Sequence, residues 1–155
     1  MDRPGRPPQA VFGRAQGSDG LAAADTAYEV LCRRHHRRRL TAARSRGGRV
    51  VAVGTTVVRA LESVAGPDGS LRAGSGFTEL VLDLNRSCRV VDGLVTGWHE
   101  PDASHLLLLE ALAGPDLVER AYAAALAARY RWHEFGDSCL LLPHHSRPPR
   151  STTSE

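Results

Sequence analysis

The stretch "GGRVVAVGTTVVRALES", Gly47 to Ser63, decides the fold. "RVVAV" is apolar without alternation, the pattern of a short strand buried on both faces. Gly54 breaks it, and Thr55 or Thr56 is placed to cap a helix over "VVRALESVA" that ends at Gly66-Pro67. A buried strand running directly into a helix is the opening half of an α/β unit. The free N–H groups of such a helix start face the turn and suit an anion, a carboxylate or a hydroxyl. Neither common nucleotide loop is present. The chain has no Lys for a Walker loop, and no G-x-G-x-x-G follows the strand.

Outward from this unit, "GPDGSLRAGSG" (66–76) reads as a loop and "FTELVLDL" (77–84) as an alternating strand. "SCRVVDGLVTGW" (87–98) reads as a second strand interrupted by Gly93, followed by a turn in "HEPDAS" (99–104). Asp102 is placed to cap a helix over 103–113 that Gly114 stops. Asp116 and Glu119 have the spacing of a capping box for the next helix. Leu117, Val118, Ala121, Tyr122, Ala125 and Leu126 form its apolar stripe. "CLLLP" (139–143) is a last strand ended by Pro143. The order strand, helix, strand, strand, helix, helix, strand defines an α/β class, a mixed sheet with flanking helices.

The 155 residues suffice for one modest domain with some tail. Residues 1–46 hold 10 Arg against 4 acidic residues, while 47–143 hold 8 Arg against 12. The basic character therefore belongs to the N-terminal arm. Within it, Arg33, Arg34, His35, His36, Arg37, Arg38 and Arg39 form a block that admits two readings. It is either a phosphate-neutralising segment or a solvated run that stays unfolded by self-repulsion. The organisation expected is a disordered basic arm over 1–39, an α/β part over 40–143 and a disordered tail over 144–155. Leu40 to Arg46 can start a short helix stopped at Gly47-Gly48. No apolar run has membrane-spanning length, and the N-terminus has no apolar secretory core. Cys32, Cys88 and Cys139 are odd in number and far apart, which implies reduced thiols. A cytoplasmic protein without membrane contact is expected.

Three stretches carry candidate chemistry. Gly54-Thr55-Thr56 is the first. "DGLVTGWHEPDASH" gathers Asp92, His99, Glu100, Asp102 and His105. His99 and His105 are six apart with Pro101 between, so no HExxH metal motif exists and no metal site is expected. Acid–base work by a histidine beside a carboxylate and a plain helix-entry turn both remain open. "YRWHEFGDS" (130–138) sets aromatics beside Arg131, His133 and Asp137. It suits base stacking or an aromatic plug over the end of the preceding helix, the plug being the simpler reading. No Ser/His/Asp order or Cys/His pair suggests a nucleophile.

The segments "GGRVVAVGTTVVRALES", "FTELVL", "VVDGLVTGWHEP", "LLLLEALAG" and "AYAAALAARYRWHEFGDS" occur in that order. Together they resemble the C-terminal portion of the S-adenosylmethionine:tRNA ribosyltransferase-isomerase family of queuosine biosynthesis, over about residues 40–142. The resemblance implies transfer and rearrangement of the ribosyl group of S-adenosylmethionine onto a 7-aminomethyl-7-deazaguanine wobble base. The product is epoxyqueuosine in tRNA, with adenine and methionine released. S-adenosylmethionine is then a substrate and no cofactor is implied. The family's motifs fall on Gly54, Thr55, Thr56, Arg59, Glu62, Asp92, Gly93, His99, Pro101, Gly136 and Asp137. Asp92 and His99 are thereby implied in acid–base or sulfonium-steadying roles. Gly54, Thr55, Thr56, Arg59 and Asp137 are implied at the substrate.

Departures from the pattern are specific. Leu84-Asn85-Arg86 stands where the family has a Pro-Gly-Tyr turn, and Glu100 stands within its His-Leu-Pro. "TAYEV" (26–30) resembles the family faintly, and the Arg/His run does not. Family members are more than twice as long, with an inserted β-barrel and an N-terminal half-domain that this sequence lacks. A separate chain carrying the missing half is one implied partner, beside tRNA. The alternatives are a non-catalytic remnant or subunit and an RNA-binding module with a basic arm.

Overall fold

The computed structural model describes residues 28–99 and 105–143. In chain order it has β1 (Tyr28–Cys32), α1 (Arg34–Ser45), β2 (Val51–Val53), α2 (Thr55–Ser63) and β3 (Gly74–Thr78). β4 (Gly93–Gly97), α3 (His105–Ala113), α4 (Pro115–Ala127), a 3-10 turn (His133–Phe135) and β5 (Ser138–Leu141) follow. From β2 onward the order is the one read from the sequence. β2 runs parallel to β4, which pairs antiparallel with β5, so the three-stranded sheet is mixed. β1 and β3 make a separate antiparallel pair.

The core explains the apolar runs. Central β4 buries Gly93, Leu94 and Thr96. α2 turns Val57, Val58, Leu61 and Glu62 inward, a helical face that packs with Val50, Ala52 and Leu94. Leu108, Leu109 and Leu112 of α3 and Val118 of α4 close the same cluster.

The charged block corrects the expected arm. Residues 28–39 are not disordered: β1 and the first half of α1 lie there, while 1–27 and 144–155 fall outside the described residues. Arginine is a good helix former, and the block becomes a helix because Leu40 and Ala43 anchor its inner face. Arg44 adds hydrogen bonds to the carbonyls of Gly69 and, at 3.3 Å, Arg89.

β1 also moves the next strand. β3 takes up Gly74–Thr78, part of the expected loop, because that is where β1 supplies a partner. Residues 79–84 keep the alternation, with Leu80 and Leu82 buried and Val81 and Leu84 exposed, but have no ladder.

The expected strand 87–98 is halved for a different reason. The Glu62 carboxylate, 3% exposed, accepts N–H bonds from Arg89 (2.8 Å), Val90 (2.8 Å) and Val91 (2.9 Å). Those donors are spent on a side chain, so β4 starts only at Gly93. Two caps also differ. Gly54, at φ +91°, is the N-cap of α2, and the threonines lie inside the helix. Gly114 caps α4 with Pro115 at N1, so Asp116 and Glu119 form no capping box. Within the apolar stripe of α4, Val118 and Ala125 are buried while Leu126 faces solvent.

Removing the Glu62 carboxylate leaves three amide donors without their partner, and two of the bonds are buried. Glu62→Ala is expected to lower stability by about 3 kcal/mol or more, with Glu62→Gln intermediate because it keeps one carbonyl oxygen. Urea unfolding followed by circular dichroism checks the order.

Candidate active site

Parallel β2 and β4 end side by side, and Gly54 N–H donates to Val95 O at 2.8 Å to hold the ends together. A cleft of about 410 Å³ opens beyond them, lined by Val53, Gly54, Thr56, Val95, Thr96, Gly97 and Ser138. Crevices outside the carboxyl ends of parallel strands are where α/β sheets take ligands. The size is that of a small-molecule pocket. Gly54 adopts a backbone conformation that side chains resist, which swings the chain from β2 into α2 and presents the first turn of α2 at the cleft. Thr55, Thr56 and Arg59 fall at one-turn spacing on α2.

β4 leads from the cleft to Trp98 and His99. His99 Nε2 lies 3.5 Å from Thr96 Oγ1, at the limit of a hydrogen bond. Its ring stacks on His105, with centroids 4.3 Å apart and planes 5° from parallel. His133 closes the third side at 4.6 Å. Gly97 makes this approach possible, since a Cβ there would sit 2.4 Å from His133 Cβ. His133 is fixed by its N–H bond to Trp98 O at 2.8 Å. Tyr122 donates to His99 O at 3.1 Å and packs edge-on against Trp98.

His99 and His105 are held towards the uncharged form. Burial, then the neighbouring His105 and His133, push His99 down to about 4 against a small opposing pull from Glu134. Burial, then the Arg59 guanidinium and His133, also lower His105. Stacked rings direct their in-plane nitrogen lone pairs side by side, not at one point. Among the described residues no group of three or more His, Cys, Asp or Glu has metal-holding geometry.

The sequence-named residues separate into two groups. Of these, Gly54 and Thr56 line the cleft, His99 lies against the lining residue Thr96, and the Arg59 guanidinium acts on His105. Asp92 does not join them. It precedes β4 and His99 follows it, so at ~3.3 Å per residue they stand more than 10 Å apart. Asp92 instead interlocks with Val50. Its Oδ2 accepts Val50 N–H at 2.8 Å, and its own N–H donates to Val50 O at 2.7 Å. Asp137 ties its loop through Arg131 N–H at 2.6 Å, and the next residue, Ser138, lines the cleft. Gly136 takes the left-handed turn that closes the 3-10 segment. Glu100, Pro101 and Asp102 lie outside the described residues.

The aromatic plug is partial. Trp98, Tyr122 and Tyr130 cluster at the end of α4, whereas Phe135 is exposed under the Arg131 guanidinium. Thr96 and Ser138, which line the cleft, were not singled out in the sequence, and His133 was named only beside the aromatics of 130–138, not with His99. The signal for His133 was Gly97, a glycine inside a strand where another backbone approaches. The thiols are held towards the protonated form. Burial, Glu62 and Asp92 push Cys88 up to about 12, and burial raises Cys32 and Cys139. No helix among the described residues is long and apolar enough to cross a membrane.

A cleft at the carboxyl ends of parallel strands, with the hydroxyl residues Thr56, Thr96 and Ser138 in its wall and His99 against Thr96, is the site of an α/β fold. Comparison with known proteins gives the particular family. Residues 25–141 match the model of the family described as queuosine biosynthesis protein, and the chain belongs to it. The S-adenosylmethionine:tRNA ribosyltransferase-isomerase of Symbiobacterium thermophilum is 50% identical over 103 residues, 66% of this chain and 30% of that protein. The enzyme of the same name from Cupriavidus pinatubonensis is 50% identical over 98 residues, 63% of this chain and 28% of its own. The crystal structure of the S-adenosylmethionine tRNA ribosyltransferase of Thermotoga maritima superposes with a TM-score of 0.65 at 41% identity. It covers 75% of this chain and 40% of that one. The chain thus spans about 30% of the length of these curated relatives.

The lowered His99 affects stability as well as chemistry. Its folded pKa lies below the unfolded value of 6.5, so the unfolded chain binds the proton first. Stability is complete above pH 6.5 and falls as the pH drops from there towards 4. The melting temperature is expected to decline over this window more steeply in the wild-type chain than in His99→Gln, as read by scanning calorimetry at stepped pH.

Proposed function

We propose that the chain supplies the S-adenosylmethionine-binding end of a tRNA ribosyltransferase-isomerase. In that reaction the ribosyl group of S-adenosylmethionine passes to the aminomethyl group of a 7-aminomethyl-7-deazaguanine base in tRNA. It rearranges to the epoxide of epoxyqueuosine as adenine and methionine leave. The observation that carries this reading is the neutral His99 held beside Thr96, a residue that lines the cleft.

S-adenosylmethionine is a cation, and an imidazolium at His99 would repel its sulfonium. A neutral ring does not, and it has a lone pair for the proton on the carbon that the sulfonium acidifies. The low basicity of His99 lets the proton pass on to the departing adenine or to solvent. His105, stacked on its face, and His133 fix the ring's orientation. Thr55, Thr56 and the first N–H groups of α2 offer donors for ribose hydroxyls or a carboxylate. Arg59 offers a charge for the methionine carboxylate. Asp92 acts at a distance here, by holding β4 in register with β2.

A second reading has its own support. The relatives are about three times as long, and this chain leaves Phe77 76% exposed and Leu84 61% exposed. In that reading the chain is a subunit that works with a partner supplying the rest of the relatives' length.

The test is adenine release from S-adenosylmethionine in the presence of a tRNA bearing the 7-aminomethyl-7-deazaguanine base. Adenine equimolar with modified tRNA is expected, and His99→Ala should lower turnover by about 100-fold or more. If turnover appears only after the missing portion of a relative is added, the subunit reading holds. Undiminished turnover in His99→Ala would sink the assignment of His99.

A further inference from the structure

α1 carries a surface that the cleft does not explain. Its 12 residues include no acidic side chain. Leu40 and Ala43 are buried, while Arg34, His35, Arg37, Arg38 and Arg39 are exposed. At 100° per residue, Arg34 and Arg38 lie one above the other at the middle of the outward face, with Arg37 and Arg39 on its flanks. Arg34 and Arg38 are ~6 Å apart along the axis.

This arrangement does not serve the helix itself. Like charges four apart destabilise a helix, and cations in its first turn oppose its dipole. Among the described residues none of the four arginines has a carboxylate partner. The fold instead compensates from the inner side, through Leu40, Ala43 and the Arg44 bonds to two loop carbonyls.

We propose that the outward face of α1 is an RNA-binding surface, on which Arg34, Arg37, Arg38 and Arg39 contact the phosphate backbone of tRNA. The inference rests on the tRNA reading above and names the surface that holds the substrate's backbone. A row of planar guanidiniums on a rigid helix matches repeated phosphates, each able to take a bidentate pair. A membrane surface fits less well. A membrane-lying basic helix needs an apolar face to insert, and the apolar residues of α1 are already buried in the protein. Phosphate contacts position RNA without reading its sequence, so the cleft remains responsible for choosing the base.

The experiment uses the full 155-residue chain and an in vitro transcribed tRNA, with affinity measured at several salt concentrations. The variant Arg34→Gln/Arg37→Gln/Arg38→Gln/Arg39→Gln is expected to reduce the slope of log K against log salt by about 3, the value for four lost phosphate contacts. Its affinity at low salt should fall at least tenfold. The matching quadruple Lys variant should keep the slope, and both should keep the circular dichroism of the wild type. An unchanged slope in the Gln variant overturns the proposal, as does wild-type binding to phosphatidylserine vesicles but not to tRNA. Loss of the slope in a chain that never releases adenine keeps the surface and removes the catalytic reading.

Discussion

The buried Glu62 carboxylate sets the geometry on which the site depends. Three consecutive amides, Arg89 to Val91, point at its two oxygens. A charge is costly to bury unless its lone pairs are filled, and here backbone donors fill them. The consequence is directional. The chain between Cys88 and Asp92 is bent onto α2, and only then released as β4 beside β2. Asp92 and Val50 exchange bonds at the point of release and fix the register Val51 to Gly93. Both parallel strands then end at the same level, and the cleft is the space beyond those ends.

This view gives two carboxylates that resemble site residues a different task. Glu62 and Asp92 lie at the amino end of β4, and the histidines lie past its carboxyl end. Function and scaffold are divided along one strand. The amino end is held by carboxyl side chains that accept bonds from backbone amides. The carboxyl end is lined by hydroxyl groups and by rings that burial and mutual repulsion keep neutral.

Much of this was legible in the sequence. The strand–turn–helix at Gly47 to Ser63 and the order of elements after it follow from apolar runs punctuated by glycine. The nearness of Gly54 and Thr56 to Thr96 follows once β2 and β4 are known to be parallel. What could not be read depended on contacts distant along the chain. The Arg/His block looked self-repelling because nothing local shows that Leu40 and Ala43 would be covered. β3 was displaced because its partner lay in that same block. The strand expected from Ser87 was shortened by a side chain more than 20 residues earlier. His133 reaches His99 only because Gly97 has no side chain, a relation between residues on separate segments.

The division of β4 into a scaffold end and a ligand end can be measured directly. Titrating the isotope-labelled chain with S-adenosylmethionine, and following amide and imidazole resonances by NMR, reports which end responds. The account predicts shifts at the Thr56, Thr96 and Gly97 amides and the His99 ring, with the Arg89, Val90 and Val91 amides and the Asp92 carboxyl unmoved. Shifts centred on Asp92 and residues 89–91, with His99 silent, would contradict it.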